Sequence, residues 1–169
     1  HRHAVGNLGV EFVQANVKSV ESATEDDIAA VVLDSGERID GDLFVDCTGQ
    51  RGLLIREHFG VDFVSVKDVL FNDAAIAVQV PYGKPDDPIA STTQATAVDN
   101  GWIWDIGLQT RRGIGHVYST AHADEATAVE TLRGYVSRTS PGVELDALQF
   151  RSIPFEPGHR RRFWVKNCV

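Results

Sequence analysis

Two short segments carry residue types and spacings that bear on chemistry. Trp102 and Trp104 lie one residue apart, directly after Gly101. In a strand, residues i and i+2 face the same way, so the two indoles would form one flat aromatic wall. Such a wall excludes water and offers no nucleophile. An ordinary pair of core aromatics is the other reading, and both stay open here. Asp46-Cys47-Thr48-Gly49 closes a short apolar stretch, Leu43-Phe44-Val45. A glycine there lets the backbone approach a ligand closely, and free N–H groups in a turn can meet anionic oxygens. A plain strand-to-turn glycine is again the alternative.

Other chemistries find less support. His1 and His3 sit at the chain start, His58 on a helical segment, His116 in a strand, and His122 and His159 in loops. No pair has metal-ligand spacing, so no metal is expected. Cys47 and Cys168 are far apart and show no metal spacing either. Gly113-Ile114-Gly115 comes nearest to a Gly-x-Gly-x-x-Gly turn. It lies in a hairpin with no helix after it, which counts against phosphate binding. The run Arg160-Arg161-Arg162 reads as a solvated turn.

The elements that must position these residues follow from periodicity. Val10–Val13 and Val17–Val20 read as strand, Glu25–Asp27 as a polar loop, and Ile28–Leu33 as a β-branched strand. A turn at 34–37 leads on to a short strand, Leu43–Asp46, the end of a β-meander that stops at Thr48-Gly49. Arg51–Phe59 has helical spacing, with Leu54, Ile55 and Phe59 on one side and Gly60 as its stop. Phe71–Val80 alternates as a strand through Ala74, Ile76, Val78 and Val80, and residues 81–88 form a loop. Strands are expected at 91–97, 101–108 and 115–119, with a hairpin turn at Arg111-Arg112-Gly113. On the tryptophan strand, Asp105 points away from the indoles and is expected to be solvated. Asp124 can cap a helix through Arg138 whose inward face is Ala128, Leu132, Tyr135 and Val136. Two last strands are expected at 148–153 and 162–169. The fold class is α+β, with several antiparallel strands and two helices.

At 169 residues the chain is long enough for one domain with a real core. Its net charge of −8 argues against a nucleic-acid partner. No apolar run has the length of a membrane span, so no membrane partner is expected. Two distant cysteines suit a reduced, cytoplasmic setting. The chain has no methionine, begins at His1 and stops at Val169 inside an apolar run. It therefore reads as an internal piece of a larger protein.

Residues Gly101 to Ser119 resemble the region around the Trp-x-Trp-x-Ile-Pro signature of flavin-dependent halogenases, the tryptophan halogenase family. Gly107 stands where that family has Pro, which loosens the backbone there. Asp40 to Gly49, followed by Arg51-Gly52-Leu53, resembles the halogenase version of the third dinucleotide segment of glutathione-reductase-type flavoproteins. Arg160 to Val169 is similar to the family's Trp-Val-Gly-Asn-Cys-Val segment, with Lys166 in place of its Gly. The resemblance covers the chain from Gly9 to Val169.

The resemblance implies a partial FAD-binding flavoprotein of the glutathione-reductase and hydroxylase type, with a mostly antiparallel substrate-side sheet. Residues 1–60 and 161–169 would belong to the FAD-binding region and 61–160 to the sheet, all within one domain. Asp46, Thr48, Gly49 and Asn167 would lie at the FAD, and Trp102 and Trp104 would wall the active site. The implied chemistry uses reduced flavin, oxygen and halide to halogenate a small electron-rich aromatic such as indole. A separate flavin reductase is an implied partner, and a homodimer is among the expected assemblies. The family's catalytic lysine, its glycine fingerprint and its Glu and Ser-Thr-Gly segments match nothing in this chain. None of Lys18, Lys67, Lys84 or Lys166 takes that lysine's role, and the piece alone is expected to be inactive. A flavin-dependent aromatic monooxygenase of the same architecture is the first alternative, favoured by the departures at Gly107 and Lys166. A non-catalytic binding module is the second.

Overall fold

The computed structural model describes residues 2–23 and 26–169, with side chains from Val5 onward. The expected polar loop at Glu25–Asp27 thus falls partly outside the described residues. The chain divides into two compact units, His1–Phe63 with Arg160–Val169, and Val64–His159.

The first unit opens with a short helix, α1 (Arg2–Asn7), which the periodicity did not suggest. Strands β1 (Val17–Ser22), β2 (Ile28–Leu33) and β3 (Arg38–Asp40) form an antiparallel meander. β2 buries Ile28, Ala30 and Leu33. Gly36, at φ 87°, makes the turn in which Leu33 N–H donates to Glu37 O at 2.8 Å.

Two expectations in this unit are corrected. Residues 10–13 form no strand; Val10 and Phe12 are exposed, and the apolar alternation there finds no partner strand among the described residues. Leu43–Asp46 does not extend the meander. Phe44 instead forms a parallel bridge with Cys168 near the end of the chain. Phe44 N–H donates to Asn167 O at 2.8 Å, Val169 N–H to Phe44 O at 3.0 Å, and Asp46 N–H to Val169 O at 2.7 Å.

The expected helix at 51–59 is a wide π-helical turn, Leu53–His58, after a 3₁₀ turn at Gly49–Arg51. Gly52 O accepts from both Arg56 N–H and Glu57 N–H, at 2.8 and 3.0 Å, which opens the coil from its first turn. Its smaller angular step per residue lets Leu53, Leu54 and Ile55 all be buried in succession. They pack with Ile28, Val61 and Cys168. The chain leaves this unit in β4 (Phe63–Ser65).

The second unit is a five-stranded antiparallel sheet with one long helix on it. Its strands are β5 (Ala74–Pro81), β6 (Gln94–Val98), β7 (Gly101–Gly107) and β8 (Arg111–Tyr118), followed by α2 (Glu125–Thr139) and β9 (Arg151–Pro154). The spatial order is β6-β7-β8-β5-β9. Asp124 caps α2 by accepting from Thr127 N–H at 2.8 Å. The inward face of α2 is Ala128, Leu132, Tyr135 and Val136, as its spacing indicates. They pack on Ile76, Val78, Val80, Ile103 and Ile114.

The hairpin turn between β7 and β8 lies at 108–110, and Arg111-Arg112-Gly113 belongs to β8. Two arginines before a glycine look like a turn, but Arg112 is held in the strand by a buried carboxylate described below. The strand expected from Leu148 begins only at Arg151, after a 3₁₀ turn at Leu145–Ala147. The chain returns to the first unit in β10 (Gly158–Arg160). Residues 162–169 are no strand. Lys166 takes φ 53°, and Val165 and Cys168 exchange N–H···O bonds of 2.9 Å across that turn. No helix is long and apolar enough to cross a membrane among the described residues.

Candidate functional site

Trp102 and Trp104 share one face of the second unit's sheet, the face opposite α2. Strand pairing defines what surrounds them. Trp104 lies between Ala95 on β6 and Gly115 on β8, with Ala77 beyond. Trp102 lies between Ala97 and Val117, with Ala75 beyond. The indoles thus stand in a field of small side chains. Their centroids are 6.2 Å apart and their planes meet at 59°. They form a tilted pair, not the flat wall expected from the spacing. Trp102 is 40% exposed, whereas Trp104 is half-buried. The helix-covered core contains neither of them. Trp104 also borders a cavity of about 880 Å³ with Tyr82, Val143, Leu148, Arg151 and Ile153.

Glycine makes this arrangement sterically possible at two points. A Cβ on Gly115 would lie 2.1 Å from Cη2 and Cζ2 of Trp104. A Cβ on Gly101, at φ 154°, would lie 1.9 Å from the carbonyl oxygen of Val117. Gly115 is the seat of an indole.

The opposite face carries a polar cluster that sequence reasoning missed. Asp105 is 5% exposed, not solvated. Arg112 Nε donates to its Oδ1 at 3.0 Å, Arg112 Nη2 donates to its Oδ2, and Tyr135 Oη donates to Oδ2 at 3.0 Å. Arg112 Nη1 also donates to Thr139 O at 3.1 Å and Ser140 Oγ at 2.5 Å. The hydrogen bond to Asp105 holds the Arg112 guanidinium firmly charged. Burial, with the Asp105 charge second, pushes the Tyr135 phenol up. An acid in a strand followed seven residues later by Arg was the available signal, but a hairpin had to bring the two together.

In the first unit the structure brings Asp46, Thr48 and Gly49 beside the segment that holds Asn167. Asp46 follows the Phe44–Cys168 bridge by two residues. Its Oδ2 accepts from Leu54 N–H and Ile55 N–H at 2.8 and 2.9 Å, which caps the π-helical turn. Its Oδ1 accepts from Thr48 N–H at 3.1 Å and Thr48 Oγ1 at 2.6 Å. Burial acts to raise this carboxyl, but the hydrogen bonds from Thr48, Ile55 and Leu54 outweigh it and hold it below the usual carboxylate range. Thr48 Oγ1 in turn accepts from Leu53 N–H at 2.8 Å. Gly49 has φ 68°, and a Cβ there would meet nothing within 4 Å. This turn is therefore rigid on its inner side and open on its outer side.

Asn167 acts like one more rung of the sheet. Its Nδ2 donates to Ile28 O at 2.8 Å and its Oδ1 accepts from Ile28 N–H at 2.9 Å. Arg160, expected in a solvated turn, is half-buried; it donates to Gln50 O at 2.8 Å and lies over the Phe63 ring, 5.2 Å from its centroid. Cys47 is exposed and Cys168 buried, both as free thiols. Among the described residues no group of three or more His, Cys, Asp or Glu side chains is arranged to hold a metal ion.

The family model described as tryptophan halogenase matches residues 1–169. The chain is 41% identical over 161 residues to the 7-chloro-L-tryptophan 6-halogenase of Kutzneria sp. (strain 744), covering 95% of this chain and 30% of that protein. It is 38% identical over 168 residues to the tryptophan 7-halogenase of Lentzea aerocolonigenes, covering 99% of this chain and 31% of that protein. The crystal structure of a tryptophan halogenase from Shewanella frigidimarina NCIMB 400 superposes with a TM-score of 0.81 at 43% identity, over 99% of this chain and 32% of that one. The chain thus spans about 30% of the length of these curated relatives.

Proposed function

The chain belongs to the tryptophan halogenase family, and from that premise we propose that it forms part of an FAD-dependent halogenase acting on an electron-rich aromatic of the indole type. The observation that carries this reading is the indole pair, Trp102 and Trp104, on the sheet face that α2 leaves uncovered. In this reading the pair lines the reaction cavity. Its surface excludes water and presents no nucleophile, so a weakly hydrated halide competes better for the oxidant.

The cofactor region is read in the first unit. Asp46 and Asn167 hydrogen-bond to their own chain, and in this reading those bonds fix the backbone that lies at the FAD. Thr48-Gly49 offers the open ledge. The space beside Gly49 and its left-handed backbone suit the close approach of a group with anionic oxygens. When bound and reduced, FAD supplies the oxygen activation that oxidises halide. The wider FAD-binding fold, the halide, the aromatic substrate, the separate reductase and the homodimer are parts of this same proposal.

The test uses the full-length protein that contains this chain. It is incubated with FAD, a flavin reductase, NADH, oxygen, tryptophan as the probe aromatic, and either chloride or bromide. A product whose mass rises by the halide supplied is expected. Oxygen incorporation in both salts would instead establish the monooxygenase. A protein that retains no FAD would be a binding module.

A further inference from the structure

We propose that Gly115 is a positioning residue for this reaction: its missing side chain lets the Trp104 indole lie across β8, and this sets the shape of the aromatic wall. The inference rests on the reading of the tryptophan face given above. Three observations support it. Trp104 and Gly115 are direct cross-strand partners. An added Cβ would fall 2.1 Å from Cη2 and Cζ2 and 2.6 Å from Cε2, atoms of the indole's six-membered ring. And Gly115 is buried on a face where α2 does not reach, with the indole as its nearest cover.

The three atoms nearest to an added Cβ all belong to Trp104, and the backbone does not demand glycine. Gly115 is absent from the positive-φ residues, so its backbone suits any L-residue. Two positions away on the same face, an added Cβ on Gly113 would meet nothing within 4 Å. The neighbouring pair supplies the contrast. Trp102 faces Val117 and remains 40% exposed, whereas Trp104 faces Gly115 and is half-buried. The side chain of Val117 thus goes with the more exposed indole, and the bare backbone of Gly115 with the one that lies across it.

An alanine at 115 has one easy way out of the clash. β8 is paired on both sides, to β7 and to β5, and its Ile114 and His116 are buried on the helix side. The strand therefore holds and the ring end of Trp104 swings outward. The fold survives while the wall changes shape. Misplacement of a group lining a reaction site by about 1 Å costs up to roughly a hundredfold in rate.

The test is a double-mutant cycle in the full-length protein with FAD, reductase, tryptophan and bromide: G115A, W104F and the pair together, with G134A on α2 as a fold-neutral control. Phe at 104 lacks the atoms that clash. G115A is expected to lower kcat for brominated product by roughly tenfold or more, with KM for tryptophan and FAD affinity changed by less than about twofold. Added to W104F, it should do nothing further. An unchanged kcat in G115A, or a full second loss in the double variant, would overturn the proposal. If the unaltered protein brominates nothing, the halogenase reading fails by itself. The unaltered protein, G115A, W104F and the double variant compared by denaturant unfolding still test the geometry: coupled effects sustain the Gly115–Trp104 contact, and additive ones refute it.

Discussion

Asp105 and Arg112 face each other diagonally across the β7–β8 hairpin, seven residues apart in the chain and joined through both carboxylate oxygens. Their side chains are only 7% and 16% exposed. Asp105 directly follows Trp104, so the pair grips the helix side of the strand whose other side carries the indoles. Tyr135 on α2 completes the clamp. It ties the hairpin register, and with it the Trp104–Gly115 pairing, to the position of the helix.

Removing one member of such a pair strands the other charge out of water. Asp105→Asn is expected to destabilise the protein by about 3–5 kcal/mol, and Tyr135→Phe by about 1–2 kcal/mol. Denaturant unfolding of the two variants and the parent measures this. Equal, small losses would mean that the pair is solvated in solution.

Lys166 stands at φ 53°, a conformation that costs a residue with a Cβ about 1–2 kcal/mol. Lys166→Gly should therefore stabilise the protein, by about 1 kcal/mol once the greater freedom of glycine in the unfolded chain is counted. Thermal unfolding should show a higher midpoint. A lower one would mean that the lysine side chain contributes more than its backbone costs.

Asn167 replaces a backbone rung with its amide, so both of its hydrogen bonds matter. Asn167→Ala should cost about 1–3 kcal/mol and weaken FAD retention by the full-length protein through the shifted 167–169 segment. Asn167→Asp keeps the acceptor for Ile28 N–H but turns the donor into an acceptor facing Ile28 O. It should be no better than alanine. Flavin fluorescence titration and unfolding curves give the two readouts.

Asp73 accepts from Lys67 Nζ at 2.7 Å, and from Thr120 N–H and Oγ1 at 2.8 Å each. Lys67 first, then the Thr120 backbone N–H, hold its carboxyl down to about 2 from an ordinary 3.8. Its folded value lies below its unfolded one, so its contribution is present above pH 3.8 and is lost as pH falls through about 2. With Lys67 half-exposed, that contribution is on the order of 1–2 kcal/mol. Asp73→Asn should flatten the acid limb of the stability curve in that window. An unchanged limb would assign acid sensitivity to other carboxylates.

Local pattern was enough for much of this molecule. The α2 helix, its cap at Asp124 and its four inward residues follow from a 3.6-residue period and one capping acid. The inward alternation Ala74, Ile76, Val78 and Val80 along β5 and the common face of the two tryptophans follow from a two-residue period. Membership of the family was legible in Gly101–Ser119 and in Arg160–Val169, because those motifs are contiguous in the chain. What failed was whatever needed a distant partner. Asp105 looked solvated because its arginine lies beyond a turn and its tyrosine on a helix. Leu43–Asp46 looked like the end of a meander because the segment it bonds to, 167–169, lies at the other end of the sequence. Nor does any spacing announce the hydrogen bonds that tie Asp46 to Leu54 and Ile55, or Asn167 to Ile28. A residue's period decides which way its side chain points. Only the tertiary structure decides what it meets there, because burial and hydrogen bonding depend on neighbours brought together by folding.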